Sequence, residues 1–179
     1  MGKYIWLLPV IFMFHDMEEI IGIANWIRKN YDRIVRRFPS AERVLSTYKE
    51  ITTAGMAVAV YEELLVLLII CLLTDLTGIP VLFGIWFGAL LGFSLHLFIH
   101  IVQALLIRSY IPALITSILS IPPSIRLVAK SVAFISMDAP IILGVIIGIA
   151  GVAVNLKLAH MAGQWFQRIT AQRIAGKKL

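Results

Sequence analysis

Apolar residues fall along this chain in five long runs, at about 4–27, 51–73, 79–107, 110–132 and 140–160, with short polar stretches between them. A helix needs about 20 apolar residues to cross the hydrocarbon core of a bilayer. Buried helices of soluble domains are usually shorter. The pattern predicts an all-α membrane protein: a single domain, residues 1–179, built as a bundle of five transmembrane helices.

The interruptions predict the connections. Pro9 lies early in the first run, where it can kink a helix. The stretch 28–50 mixes Ile34, Val35 and Phe38 with arginines, which predicts a basic loop lying along the membrane surface. Pro39-Ser40 marks a helix start, and that helix is expected to run unbroken into the second span. Asp75, Gly78 and Pro80 mark a turn. In the third run Gly84, Gly88, Gly92, His96 and His100 recur every four residues and form one stripe, whose glycines would admit a neighbouring helix. Tyr110-Ile111-Pro112 opens the fourth run. Pro122-Pro123 is expected to break it, so it reaches across only if Arg126 and Lys130 snorkel to an interface. Gly144, Gly148, Gly151 and Asn155 lie close to one stripe of the fifth run. The tail 161–179, with Trp165, Phe166, Arg168, Arg173, Lys177 and Lys178, predicts an amphipathic helix resting on the interface.

Composition agrees: 60% of residues are hydrophobic and the mean hydropathy is +0.91. The 16 basic residues outnumber the 10 acidic ones. They belong to no soluble binding fold, so nucleic acid is not an expected partner. With five spans, every Lys and Arg except Lys3, Arg126 and Lys130 falls on one side. The positive-inside rule then puts the N-terminus outside and the C-terminus in the cytoplasm. Four spans would move the basic tail to the wrong side. The single cysteine, Cys71, reads as a buried apolar residue. No small-residue cleavage site follows the first run, which therefore reads as a mature span.

The polar residues inside the spans carry the chemistry. On a helix His15, Glu18 and Glu19 share one face, and Asp16 lies beside them. Counted from the cytoplasmic ends, this group, Glu62-Glu63 and His96/His100 all lie roughly 10–18 Å deep at about 1.5 Å per residue. His160 enters from the fifth span at its cytoplasmic end. Spans one to three contain no Lys or Arg, so these carboxylates have no basic side chain to pair with. They must be protonated, hydrated or neutralised by a cation. Histidines beside them point to a metal ion, and carboxylate with imidazole suits zinc, iron or manganese. The candidate ligands are His15, Glu18, Glu62, His96, His100 and His160, holding two divalent ions, with Glu19 and Glu63 as candidate general bases.

His15-Asp16-Met17-Glu18-Glu19 has the motif of the HXXEE family of small bacterial and archaeal membrane proteins. Glu62-Glu63, His96-x-x-x-His100 and the segment 110–113 also resemble that family. The resemblance implies a membrane-embedded, metal-dependent enzyme in the cell membrane of a bacterium or archaeon, and it implies no substrate. Intramembrane CAAX-type proteases carry a similar Glu-Glu pair, but the arginine that follows theirs has no counterpart here.

The expected function is therefore metal-dependent chemistry on a lipid or other lipophilic substrate that enters from the bilayer, hydrolysis ahead of others. The alternatives are a di-iron oxidase or hydroxylase bridged by Glu18 and Glu62, a proton-coupled transporter acting as a homodimer, and a non-catalytic lipid-binding protein. Membrane lipids are the expected surroundings in each case.

Overall fold

A computed structural model describes residues 2–136 and 138–176. Lys177 and Lys178 lie outside the described residues. The fold is all-helical. Helix α1 (Gly2–Ile5) meets α2 (Leu7–Arg37) at a turn on Trp6. A 3-10 turn (Pro39–Ala41) and α3 (Glu42–Tyr48) lead to α4 (Thr53–Thr77), α5 (Pro80–Ile107), α6 (Leu114–Phe134) and α7 (Ala139–Gly176). Among the described residues, three helices are long and apolar enough to cross a membrane: α4, α5 and the Ala139–Arg173 part of α7. This is a membrane protein.

Pro9 falls in the first turn of α2, where a missing N–H breaks no helical bond within α2. Its absence does leave the Ile5 carbonyl, four residues back, without a helical donor. Trp86 Nε1–H donates to that carbonyl at 3.2 Å and the Cys71 thiol approaches it at 3.6 Å. Trp86 and Cys71 are fully buried. The proline thus creates the acceptor on which α4 and α5 are anchored to the end of α1, just before α2. At its other end α2 runs ten residues beyond Ile27, so the basic stretch begins as helix and not as a surface loop.

The helix after Pro39 does not run into α4. It ends at Tyr48, and Thr52 starts α4 afresh by accepting the Gly55 N–H on its hydroxyl at 3.0 Å. Gln167 clamps this break: its Oε1 accepts the Thr52 N–H at 2.6 Å and its Nε2 donates to the Glu50 carbonyl at 3.2 Å. The tail is consequently not a separate interfacial helix. Residues 161–176 continue α7 without a break, and Gly163 lies directly against the Gly55 carbonyl. Nor do Pro122 and Pro123 break α6, which stays helical through both. The carbonyls they leave without a helical donor belong to Ile118 and Leu119, on the outward face.

Contacts fix the helix directions. Ile5 meets Trp86 and Glu19 meets His100, so α2 and α5 run together. Gly84 meets Gly144 and Gly88 meets Gly148, so α7 runs with them. A Cβ on Gly84 would stand 2.9 Å from the Gly144 Cα, and one on Gly88 3.0 Å from the Gly148 Cα. The two backbones touch, as the glycine stripe predicts. Steps of four residues turn the stripe by about 40° each, so its glycines face α7 while His96 and His100 face α2. Gly151 departs from its stripe, since nothing lies within 4 Å of the Cβ position there. Helices α4 and α6 run the opposite way: Cys71 lies by Ile5, and Lys130 donates to the Tyr4 hydroxyl at 2.9 Å.

Candidate metal centre

Three imidazoles and one carboxylate converge where α2 meets α5. His15, Glu19, His96 and His100 each offer a donor atom, and these atoms lie within 4.8 Å of one another. The His100 Nε2 stands 2.9 Å from the His96 Nε2 and 3.1 Å from Glu19 Oε1. The His15 ring centroid is 5.2 Å from that of His100 and 5.5 Å from that of His96. His15, Glu19 and His100 are buried and His96 is half-buried. Metal–ligand bonds of about 2.0–2.1 Å set neighbouring donors about 3 Å apart, so the cluster needs only small adjustments to hold one ion.

Hydrogen bonding sets the state of His15. Thr116 Oγ1 lies 2.7 Å from Glu18 Oε2 and 3.3 Å from His15 Nδ1. A hydroxyl has one proton, and the carboxylate is the nearer and stronger acceptor. Its lone pair then takes the His15 Nδ1–H. This leaves His15 Nε2 as a bare lone pair, buried and without a protein partner. An orphaned imidazole nitrogen beside two further imidazoles and a carboxylate is what a cation site requires.

The two glutamates of the motif part company. Glu19 faces the histidines. Glu18 turns to α6, accepting the Tyr110 hydroxyl at 2.6 Å and the Thr116 N–H at 2.8 Å. Ala113, the residue before α6, has no side chain able to cap it and sits at φ 76°. Glu18 supplies the missing cap from another helix, at the end of α6 where its dipole favours an anion. The Pro112 ring beside Gly22 holds this junction tight, since a Cβ at residue 22 would come within 2.9 Å of it. Burial and the bond to Glu18 push the Tyr110 phenol up to about 12.

The other expected ligands stand elsewhere. Glu62 Oε2 accepts from Asn155 Nδ2 of α7 at 3.2 Å, because Glu62 faces α7 while the cluster lies towards α2. His160 Nδ1 bonds the Leu156 carbonyl at 2.6 Å and the ring packs on the edge of Tyr48. Its Nε2 is buried and unpartnered, outside the four-donor group. Burial pushes the Tyr48 phenol well above its ordinary range, with Glu19 and Glu63 adding to this. Glu63 is not in the cluster either. It lines a cavity of about 330 Å³ enclosed by α2, α4, α5 and α7, together with Asp16, Glu19, His96 and His160. The rest of the wall is almost wholly apolar. Ile147, Val154 and Leu158 border the cavity and are also exposed on the outer surface, so it reaches the side of the bundle.

Sequence reasoning missed Thr116, which stands in an otherwise plain segment, and left Asp16 at the margin although it is 4% exposed with Oδ2 unpartnered.

The chain belongs to the family described as proteins of unknown function with an HXXEE motif, whose family model matches residues 6–127. That range includes the four-donor cluster, Glu18, Thr116 and Glu63, and leaves out His160. No curated protein and no solved structure matches the chain.

Proposed function

We propose that this protein is an integral membrane metalloenzyme holding one divalent ion on His15, Glu19, His96 and His100, and acting on a lipophilic substrate. The observation that carries the reading is the convergence of these four donors at the wall of an apolar cavity open to the side of the bundle. The earlier expectation of two ions loses its support, because Glu18 and Glu62, the candidate bridges, are engaged by Thr116 and Asn155. Four protein donors close a tetrahedral ion, so the metal that suits catalysis here accepts a fifth or sixth ligand, as iron or manganese does. Such an ion would polarise a carbonyl and acidify a bound water, which suits hydrolysis.

The chain's own residues supply the remainder. Thr116 and Glu18 hold His15 in one tautomer. Glu63, on the cavity wall and outside the cluster, is placed to take a proton. The apolar wall admits a hydrocarbon chain and excludes water.

The decisive experiment is metal per protein after exhaustive dialysis, for wild type and Glu19→Gln. About one ion per chain, lost in the variant while helicity and elution volume stay unchanged, supports the reading. An active wild type without metal would overturn it in favour of a proton relay.

The proposal includes the orientation. Helices α2, α4, α5, α6 and α7 alternate in direction, which supports five crossings with the N-terminus outside and the basic end of α2 in the cytoplasm. Ser46→Cys should react only with membrane-permeant thiol reagents in intact cells, and Thr77→Cys with impermeant ones as well. The opposite pattern reverses the orientation.

A further inference from the structure

We infer that the cavity beside the four-donor cluster recognises a lipophilic ammonium ion, a hydrocarbon chain ending in a protonated amine. The inference rests on reading this cavity as the substrate site and goes further by naming the headgroup. The polar groups left over among the described residues at the cavity offer acceptors. Asp16 is 4% exposed and its Oδ2 has no partner. His160 bonds the Leu156 carbonyl through Nδ1, so that nitrogen carries the proton and the unpartnered Nε2 offers a lone pair. Glu63 adds a carboxylate, and the Asn155 amide is already donating to Glu62.

Among the described residues, no Lys or Arg lines the cavity. A phosphate or carboxylate headgroup would therefore be set among Asp16, Glu19 and Glu63 with no basic side chain to meet it, in apolar surroundings where unpaired charge is costly. A divalent ion on the cluster is neutralised in part by Glu19, and an ammonium headgroup would let Asp16 and Glu63 ionise beside it, which leaves one net negative charge on the protein side. An ammonium group cancels that charge and brings donors to the waiting acceptors. An alcohol brings one donor and no charge. The volume, about 330 Å³, sits at the low end for ligand sites. It suits one chain better than a two-chain lipid.

The test uses full-length protein in nanodiscs of a zwitterionic phospholipid, with empty nanodiscs subtracted for partitioning. Radiolabelled decylamine, decanol and decyl phosphate are the probes, and metal content is measured on the same samples. Decylamine should bind at least about tenfold more tightly than either of the others. Asp16→Asn and Glu63→Gln should each weaken decylamine about tenfold and leave decanol unchanged. If Asp16→Asn does not fold, Glu63→Gln alone decides. Equal or tighter binding of decanol or decyl phosphate overturns the inference, as does wild-type amine binding in the folded variants. Amine binding to a protein without metal would sink the proposed metalloenzyme and leave this inference standing. A metal-loaded protein indifferent to the amine would do the reverse.

Discussion

His15 Nδ1 stands 3.3 Å from Thr116 Oγ1, and through this contact the four-donor cluster is tied to the start of α6. A metal-binding imidazole is commonly oriented by a partner on its other nitrogen, and loss of that partner costs about 10–100-fold in affinity. Thr116→Val should therefore lower metal affinity by about that factor, measured by competition with a chelator of known strength. Thr116→Ser keeps the hydroxyl and should stay close to wild type. Loss in Thr116→Ser with wild-type affinity in Thr116→Val would mean that packing by the methyl group, and not the hydroxyl, matters.

The α5–α7 contact gives a second prediction. Gly88→Leu should destabilise the fold in detergent severely, since even a Cβ there would stand 3.0 Å from the Gly148 Cα and the helices must separate. Gly151→Ala has open space around it. It should be neutral or add up to about 1 kcal/mol from helix propensity. Thermal unfolding of the two variants beside wild type checks both. A Gly88→Leu protein as stable as wild type would show that the backbones do not touch.

Tyr110 gives a pH dependence. Its phenol is raised from 10.0 to about 12 by burial and by Glu18, so the folded state holds this proton more tightly than the unfolded state does. The associated stability is fully present below about pH 10 and is lost as pH rises through about 12. Tyr110 is 48% exposed, so screening makes the effect small. Tyr110→Phe should be less stable than wild type at neutral pH, and the gap should close as pH climbs through that window. A gap that widens instead would contradict the bond to Glu18.

Much of this arrangement is legible in the chain itself. The helical class, the membrane character, and His15, His96 and His100 as one group follow from hydropathy, spacing and the absence of basic residues in the first three spans. The glycine stripe predicts a close contact, and the structure places it against α7. The choice between Glu18 and Glu19 is not legible, because positions three and four residues on from His15 both share its face. What decides is Thr116, one hundred and one residues away in sequence. The continuous α7 escapes for a related reason: Trp165 and Phe166 among basic residues look amphipathic, and only the docking of Gly163 and Gln167 on the start of α4 shows that they extend the bundle. The prolines of α6 illustrate a general difficulty. Local preference opposes a helix, yet a buried face that includes Ser117, Ser120, Ser124 and Leu127 keeps it intact.

The sharpest prediction separates Glu18 from Glu19. Both are carboxylates of one motif, adjacent in sequence, and a motif-level reading gives them similar roles. Here Glu19 Oε1 meets His100 Nε2, while both oxygens of Glu18 are spent on Tyr110 and Thr116. Glu19→Gln replaces a carboxylate ligand by an amide, so bound metal should fall sharply. The protein should remain folded, since the change also removes a buried charge. Glu18→Gln acts elsewhere. The amide keeps one acceptor and turns the other towards donors, and charge-assisted bonds of this kind contribute about 1.5–3 kcal/mol. The variant should lose stability of about that order and retain most of its metal, with the remaining loss matching that of Thr116→Val because both loosen His15. The measurements are metal stoichiometry and unfolding temperature for each variant, made in one detergent. Metal lost from Glu18→Gln and kept by Glu19→Gln would reverse the assignment of the two residues.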